Sequence, residues 1–91
     1  MTLPEFGYVD GNALAGPLRE LFAVEMTGAS GVCAHCGYAG PVATLRVWQH
    51  APGLVARCSS CDEVVLRLVR GRDRVWLDLR GAMRLEIEME P

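Results

Sequence analysis

From residue 43 onward apolar and polar residues alternate in five runs, 43–50, 54–58, 64–70, 74–80 and 83–89. The runs are separated by Ala51-Pro52-Gly53, a pair of cysteines, Gly71-Arg72-Asp73 and Gly81-Ala82. A period of two sends successive side chains to opposite faces of a strand, and breaks this short favour antiparallel neighbours. In the last two runs Val75, Leu77, Leu79, Met83, Leu85, Ile87 and Met89 take one face, whereas Trp76, Asp78, Arg80, Arg84, Glu86, Glu88 and Glu90 take the other. The pattern predicts an antiparallel meander with one buried and one wet face, ending in a hairpin.

Before residue 43 the period changes. Leu14, Leu18, Leu21 and Phe22 fall on one stripe at i, i+4, i+7 and i+8, the signature of an amphipathic helix that covers the sheet. Gly16-Pro17 interrupts the stripe, and because proline is tolerated only in the first turn, a short turn is expected over 11–15 and the main helix over 17–26. Glu25 also lies on the stripe; so close to Thr27-Gly28 it reads as the fraying end of the helix and is given no role. Residues 1–9, with Pro4 and Gly7 and no period, read as an irregular arm.

The chain has 91 residues, 51% hydrophobic and 22% charged, with a net charge of −2. That balance excludes a disordered chain, and the length suits one small domain whose core needs reinforcement by metal, disulfide or partner. The first residues form no leader and no run reaches the ~18 apolar residues of a membrane span, so a soluble cytoplasmic protein is expected. All nine basic residues are arginine. Residues 1–30 carry one Arg against four acids, residues 31–85 eight against four, and residues 86–91 three glutamates and no base, so a basic middle lies between acidic ends.

The chemistry is concentrated in four cysteines. Cys33-Ala34-His35-Cys36-Gly37 is followed, after 21 residues, by Cys58-Ser59-Ser60-Cys61-Asp62. Two thiolates two residues apart grip one side of a tetrahedral ion from a tight turn, and a second such turn supplies the other side. The strands 43–50 and 54–58 run out and back, which returns Cys58 towards Cys36. Gly37 and Asp62 stand where each knuckle calls for a positive φ. The pattern predicts one structural zinc ion on Cys33, Cys36, Cys58 and Cys61, since four protein sulfurs leave no position for water or substrate. Without that metal the ribbon is expected to unfold. Thiol redox chemistry would call for a lone pair on a βαβ unit, which is not predicted here.

Other residues point less sharply. His35 and His50 can replace a cysteine at the metal only where one is missing, and neither belongs to a triad. Arg46, Trp48 and His50 share a strand face with Arg57 beside them, and Arg67, Arg70, Arg72 and Arg74 gather near the next hairpin. Arginines interleaved with an aromatic suit single-stranded nucleic acid. The competing expectation is that they pair across strands with Asp62, Glu63, Asp73, Asp78, Glu86 and Glu88 on a solvated face. Trp76, beside Asp78 and Arg80, is either a partner anchor or a strand residue lying over the sheet. Gly11, Gly16, Gly28 and Gly31 form no phosphate loop.

Two resemblances follow. The first cysteine knuckle, through Tyr38, resembles that of rubredoxins, which bind iron, but the second lacks the rubredoxin-like Pro and Gly and the spacer is shorter. The stretches Asp10-Gly11-Asn12-Ala13-Leu14-Ala15-Gly16-Pro17-Leu18, Ala51-Pro52-Gly53-Leu54-Val55-Ala56-Arg57-Cys58 and Val75-Trp76-Leu77-Asp78-Leu79-Arg80-Gly81 together resemble a family of short actinobacterial zinc-ribbon proteins of unknown function. The likeness spans residues 9–89. It implies that helix, ribbon and C-terminal hairpin form one unit and that the four cysteines are zinc ligands, and it implies no activity.

The expected architecture is thus one α+β domain over 1–91: an arm (1–9), a helical region (10–26), a zinc ribbon (31–63) with its hairpin (43–58), and C-terminal antiparallel strands (64–89). The expected function is a non-enzymatic interaction module. A protein partner comes first, met through the Trp48 or Trp76 faces or the N-terminal arm. Nucleic acid comes second and a rubredoxin-like electron carrier third.

Overall fold

A computed structural model describes residues 8–22, 26–50 and 53–88, with His50 described by its backbone alone. The elements are β1 (Val9–Asp10), a 3-10 turn (Gly11–Leu14), α1 (Ala15–Phe22), β2 (Ser30–Cys33), β3 (Ala39–Pro41), a second 3-10 turn (Val42–Thr44), β4 (Arg46–His50), β5 (Gly53–Arg57), β6 (Val64–Arg70), β7 (Val75–Asp78) and β8 (Ala82–Glu86). They form two antiparallel sheets, one of five strands in the order β1-β4-β5-β6-β7 and one of three in the order β3-β2-β8, an α+β arrangement.

The alternation from β4 to β6 is realised as read, whereas on β7 Val75, expected on the buried face, is 40% exposed. Val47, Ala56 and Leu66 stand side by side on one face, with Leu54, Leu68 and Leu77 in the next row. All but the partly buried Leu77 are buried in the main core, together with Leu14, Leu18, Met26, Ala29 and Val42. Leu85 and Ile87 pack on this core from the β8 end of the chain, so the second sheet and the helical segment cover the inner face of the first.

The predicted C-terminal hairpin does not form. β8 leaves β7 and pairs with β2, with Ser30 opposite Glu86 and Gly31 opposite Leu85. Gly81 makes the crossing: its carbonyl accepts from the Ala34 amide at 2.9 Å, and a Cβ there would lie 1.9 Å from the Val64 carbonyl oxygen. The single meander is therefore two sheets: β2, paired with β3 along one edge, takes β8 along the other, which satisfies backbone groups on both sides of the first cysteine segment. Met83, expected in the core, is 66% exposed. The register slips between Val32 and Cys33, which face Arg84 and Ala82, so Met83 is the extra residue of a bulge and turns outward.

The helix starts earlier than the predicted 17–26 and is described over Ala15–Phe22. It begins at Ala15, continuous with the 3-10 turn, and Pro17 sits in its first turn, where its missing N–H costs nothing. Leu14 and Leu18 are buried, but Leu21 and Phe22 are 40% and 38% exposed, so only half of the apolar stripe docks. Glu25 lies outside the described residues, as do most of the arm, Ala51-Pro52 and Met89. The strand expected from 43 starts at Arg46, because Val42–Thr44 turn, with the Thr44 hydroxyl donating to the Pro41 carbonyl at 2.7 Å. The Arg70 guanidinium meets Glu20 at 2.7 Å and links β6 to α1, an exposed pair of small energetic weight. Among the described residues no helix is long and apolar enough to cross a membrane.

Candidate metal centre

Two turns of the same construction face each other. Cys33 ends β2 and Cys58 follows β5, and each carbonyl accepts from the amide four residues on, Gly37 and Asp62 respectively, at 2.9 Å. Each cysteine amide donates to the carbonyl five residues on, that of Tyr38 and that of Glu63, again at 2.9 Å. The turns close through positive φ at Gly37 (79°) and Asp62 (66°), as their positions in the sequence implied. The sulfur of each leading cysteine accepts an amide from inside its turn, His35 N–H to Cys33 at 3.4 Å and Ser60 N–H to Cys58 at 3.3 Å. Such bonds favour a thiolate over a thiol.

The four Sγ atoms lie within 4.8 Å of one another, with Cys33 to Cys61 at 3.7 Å and Cys36 to Cys58 at 3.8 Å. These separations are far beyond the ~2.05 Å of a disulfide. The two shortest match the ~3.8 Å edge of a tetrahedron of sulfurs placed ~2.3 Å from a central zinc, and all lie within about an ångström of it. The donor set therefore fits a metal of this kind. Cys33 and Cys58 are buried, Cys61 is partly buried and Cys36 is exposed. Val65 floors the cluster, with Leu45, Ala82 and Cys61 packed around it.

A bulge puts Val65 there. The β5–β6 register passes from Ala56 opposite Leu66 to Arg57 opposite Val64, leaving Val65 as an extra residue. Two successive side chains are thereby buried in different places, Leu66 in the main core and Val65 beneath the cysteines.

Four thiols this close cannot all ionise unaided. Burial pushes Cys33 up, but hydrogen bonds from the Cys36 and His35 amides and from the Cys61 and Cys36 thiols outweigh it and hold Cys33 at about 7. A backbone hydrogen bond at Glu63 lowers Cys61, yet burial and the neighbouring sulfurs of Cys36, Cys33 and Cys58 prevail and drive it to about 12. A dication at the centre removes this conflict, since it stabilises every thiolate at once.

The His35 imidazole is not part of the sulfur cluster. Its Nε2 lies 3.4 Å from Glu63, which joins the rim of one knuckle to that of the other. The side chain of His50 lies outside the described residues. Asp62 is the one described non-glycine residue with positive φ. Replacing it with alanine is expected to cost about 1 kcal/mol in thermal unfolding, whereas Asp62→Gly should cost nothing or stabilise slightly; equal stability of the two variants would mean that the turn is not strained.

The outer face of the five-stranded sheet gathers most of the remaining residues of chemical interest. Trp48, Val55, Arg67 and Asp78 form one row across β4 to β7. The Arg57 guanidinium lies over the Trp48 ring at 5.5 Å, and Arg46 lies over the Tyr8 ring at 5.6 Å. The two rings are tilted by 47° with centroids 5.0 Å apart. Tyr8 was not singled out from the sequence, because its segment has no period; only its pairing beside β4 brings it to the face. Trp48, Val55, Arg57, Asp62 and Arg67 line a shallow groove of about 530 Å³. It is continued by a smaller hollow at Arg67, Asp78 and Arg80.

The ion pairs on and around this face are mostly local rather than cross-strand. Arg46 approaches Asp62 at 3.9 Å, Arg74 pairs with the adjacent Asp73 at 3.7 Å, and Arg80 Nε bonds Asp78 at 3.0 Å. The side-chain hydrogen bond from Arg80 holds the Asp78 carboxyl at about 2. Glu86 and Glu88, expected to take arginines, pair with none among the described residues. Trp76 is 56% exposed and its ring lies against Gly71 at the β6–β7 turn, so it projects from the face.

No curated protein and no solved structure matches the chain. A family model matches residues 5–90, and the chain belongs to that family, described as a family of unknown function (DUF6510).

Proposed function

We propose that the protein is a non-enzymatic zinc-ribbon module in which one zinc ion, held by Cys33, Cys36, Cys58 and Cys61, keeps a sheet surface in shape for a macromolecular partner. The observation that carries this reading is the convergence of the four sulfurs to within 4.8 Å from two turns of matching hydrogen-bond pattern. With all four positions taken by thiolates the ion has no site for water or substrate, and its contribution is to hold the two turns together. Zinc is favoured over iron because Ser59, Ser60 and Asp62 depart from the rubredoxin-like knuckle. Four unpaired thiols further suit a reducing compartment such as the cytoplasm. A partner is favoured because Trp76 and the arginines of the outer face are large groups that the core does not use.

Elemental analysis of the purified protein tests the metal directly. The expected result is one zinc per chain in a colourless preparation, with the zinc lost in Cys58→Ser. A red protein carrying stoichiometric iron would replace this reading with electron transfer.

A further inference from the structure

We infer that the outer face of the five-stranded sheet binds single-stranded nucleic acid, with the strand running across β4, β5, β6 and β7. The inference deepens the proposal that zinc maintains this surface, and it rests on that reading only in requiring the ribbon to be folded.

Charge complementarity comes first. Arg46, Arg57, Arg67 and Arg80 stand on or beside this face against Asp62 and Asp78, so a chain that is acidic overall is basic here. The two aspartates are engaged, Asp62 with Arg46 and Asp78 with Arg80. Arg57 and Arg67 make no ion pair among the described residues. Both line the same groove. Arg46 faces Arg57 directly across β4 and β5, and Arg67, opposite Val55 on β6, stands one step along the same face, so the three cations lie on a diagonal that a phosphate chain can follow.

Aromatic groups come second. Trp48 and Tyr8 flank one end of this diagonal and Trp76, more than half exposed, stands at the other on β7. The exposed Trp76 ring provides a stacking platform for an unpaired base, whereas Tyr8 and Trp48 are half-buried and carry guanidiniums over their rings. The stacking of Arg57 on Trp48 and of Arg46 on Tyr8 holds these guanidiniums in place before any ligand arrives. A duplex is disfavoured, because the basic groups lie on a sheet face and α1 brings only Arg19, next to the acidic Glu20. An acidic protein would satisfy the arginines but would leave the pairing of cations and rings without a purpose.

The experiment is a fluorescence anisotropy titration of zinc-loaded full-length protein into labelled oligouridine and oligothymidine of about twelve nucleotides. Binding is expected at low salt, weakening as salt rises with a log–log slope of about −2 for three arginines on a single strand. Arg67→Glu and Trp76→Ala should each weaken it about tenfold or more. Arg84→Glu, the same charge change on the other sheet, should alter it less than about twofold. Each variant is checked for zinc content, so a misfolded one is recognised.

The inference is overturned by no binding at low salt, by an Arg84→Glu loss equal to that of Arg67→Glu, or by a polyglutamate peptide that competes as well as unlabelled oligouridine; the last result would assign the face to an acidic protein. A metal-free protein that still binds would leave this inference standing and remove the claim that zinc keeps this face in shape. A zinc-loaded protein that ignores both oligonucleotides would do the reverse.

Discussion

Chelation of the metal, or Cys58→Ser, should unfold the ribbon and with it the three-stranded sheet. Cys58 is buried in one cluster with Cys33 and Val65, so loss of its sulfur opens the expected coordination shell on its buried side. A structural zinc contributes on the order of 10–16 kcal/mol of apparent binding energy in small peptides, against ~5–15 kcal/mol for the whole stability of an ordinary domain. Among the described residues the second hydrophobic cluster has Cys33, Cys58 and Val65 as its buried members, and two of the three belong to the proposed metal site, so little apolar packing is expected to hold the knuckles without an ion. The effect should spread to β2, β3 and β8, because Cys33 is the last residue of β2 and the β2–β8 ladder begins beside it. Amide resonances of residues 30–41 and 82–86 are therefore expected to collapse towards random-coil positions on chelation. The five-stranded sheet, with its core of Val47, Leu54, Leu66 and Leu68, should loosen later. A chelated sample that kept native dispersion throughout would refute the structural role of the metal.

The second large effect is expected at Gly81. An alanine Cβ at this position would stand 1.9 Å from the Val64 carbonyl oxygen and 2.6 Å from the Val65 Cα, both backbone atoms of the strand that floors the cysteine cluster. Backbone cannot swing aside as a flexible side chain does, so the crossing from β7 to β8 must shift and the Ala34 amide must lose its bond to the Gly81 carbonyl. Gly81→Ala should cost about 3 kcal/mol, typical of severe overpacking. In a domain of this size that lowers Tm by roughly 12–24 °C. Gly16→Ala provides the contrast: apart from its chain neighbours nothing lies within 4 Å of the added Cβ in α1, and with the gain in helix propensity opposed by the restriction that Pro17 places on the residue before it, the variant should change stability by less than about 1 kcal/mol. Thermal melts of the two variants decide the matter. A Gly81→Ala protein melting with the parent would mean that β8 does not cross where the structure places it.

The metal centre was legible because its requirements are local. Two CxxC turns, Gly37 and Asp62 at the positions of positive φ, and a hairpin long enough to return Cys58 are all properties of short segments, and the structure brings the same four sulfurs together. β4 to β6 were legible for a related reason: a strand with one buried face must alternate, and Val47, Leu54, Ala56, Leu66 and Leu68 do so. Ser30–Cys33 and Ala39–Pro41 were not, since Ser-Gly-Val-Cys and Ala-Gly-Pro are too short and too rich in small residues to show a period. Tyr8 and the pairing of Arg70 with Glu20, fifty residues apart, belong to the same class. They depend on which surfaces come to face each other.

By itself, then, the sequence determined which four cysteines cluster, the knuckle geometry, the inner and outer faces of the main sheet and the presence of a helix beside it. Only the tertiary structure decided that β8 joins β2 instead of β7, that Met83 turns outward, and that Tyr8, Trp48, Arg46, Arg57 and Arg67 share one face. The physical reason is the range of the forces involved. Dihedral preference, metal-turn spacing and alternation act over a few residues and leave their mark in the order of the chain. Strand partnership depends on which unpaired backbone edge lies within reach, and two bulges, at Met83 and Val65, each move side chains by one position where a count of alternation cannot see it.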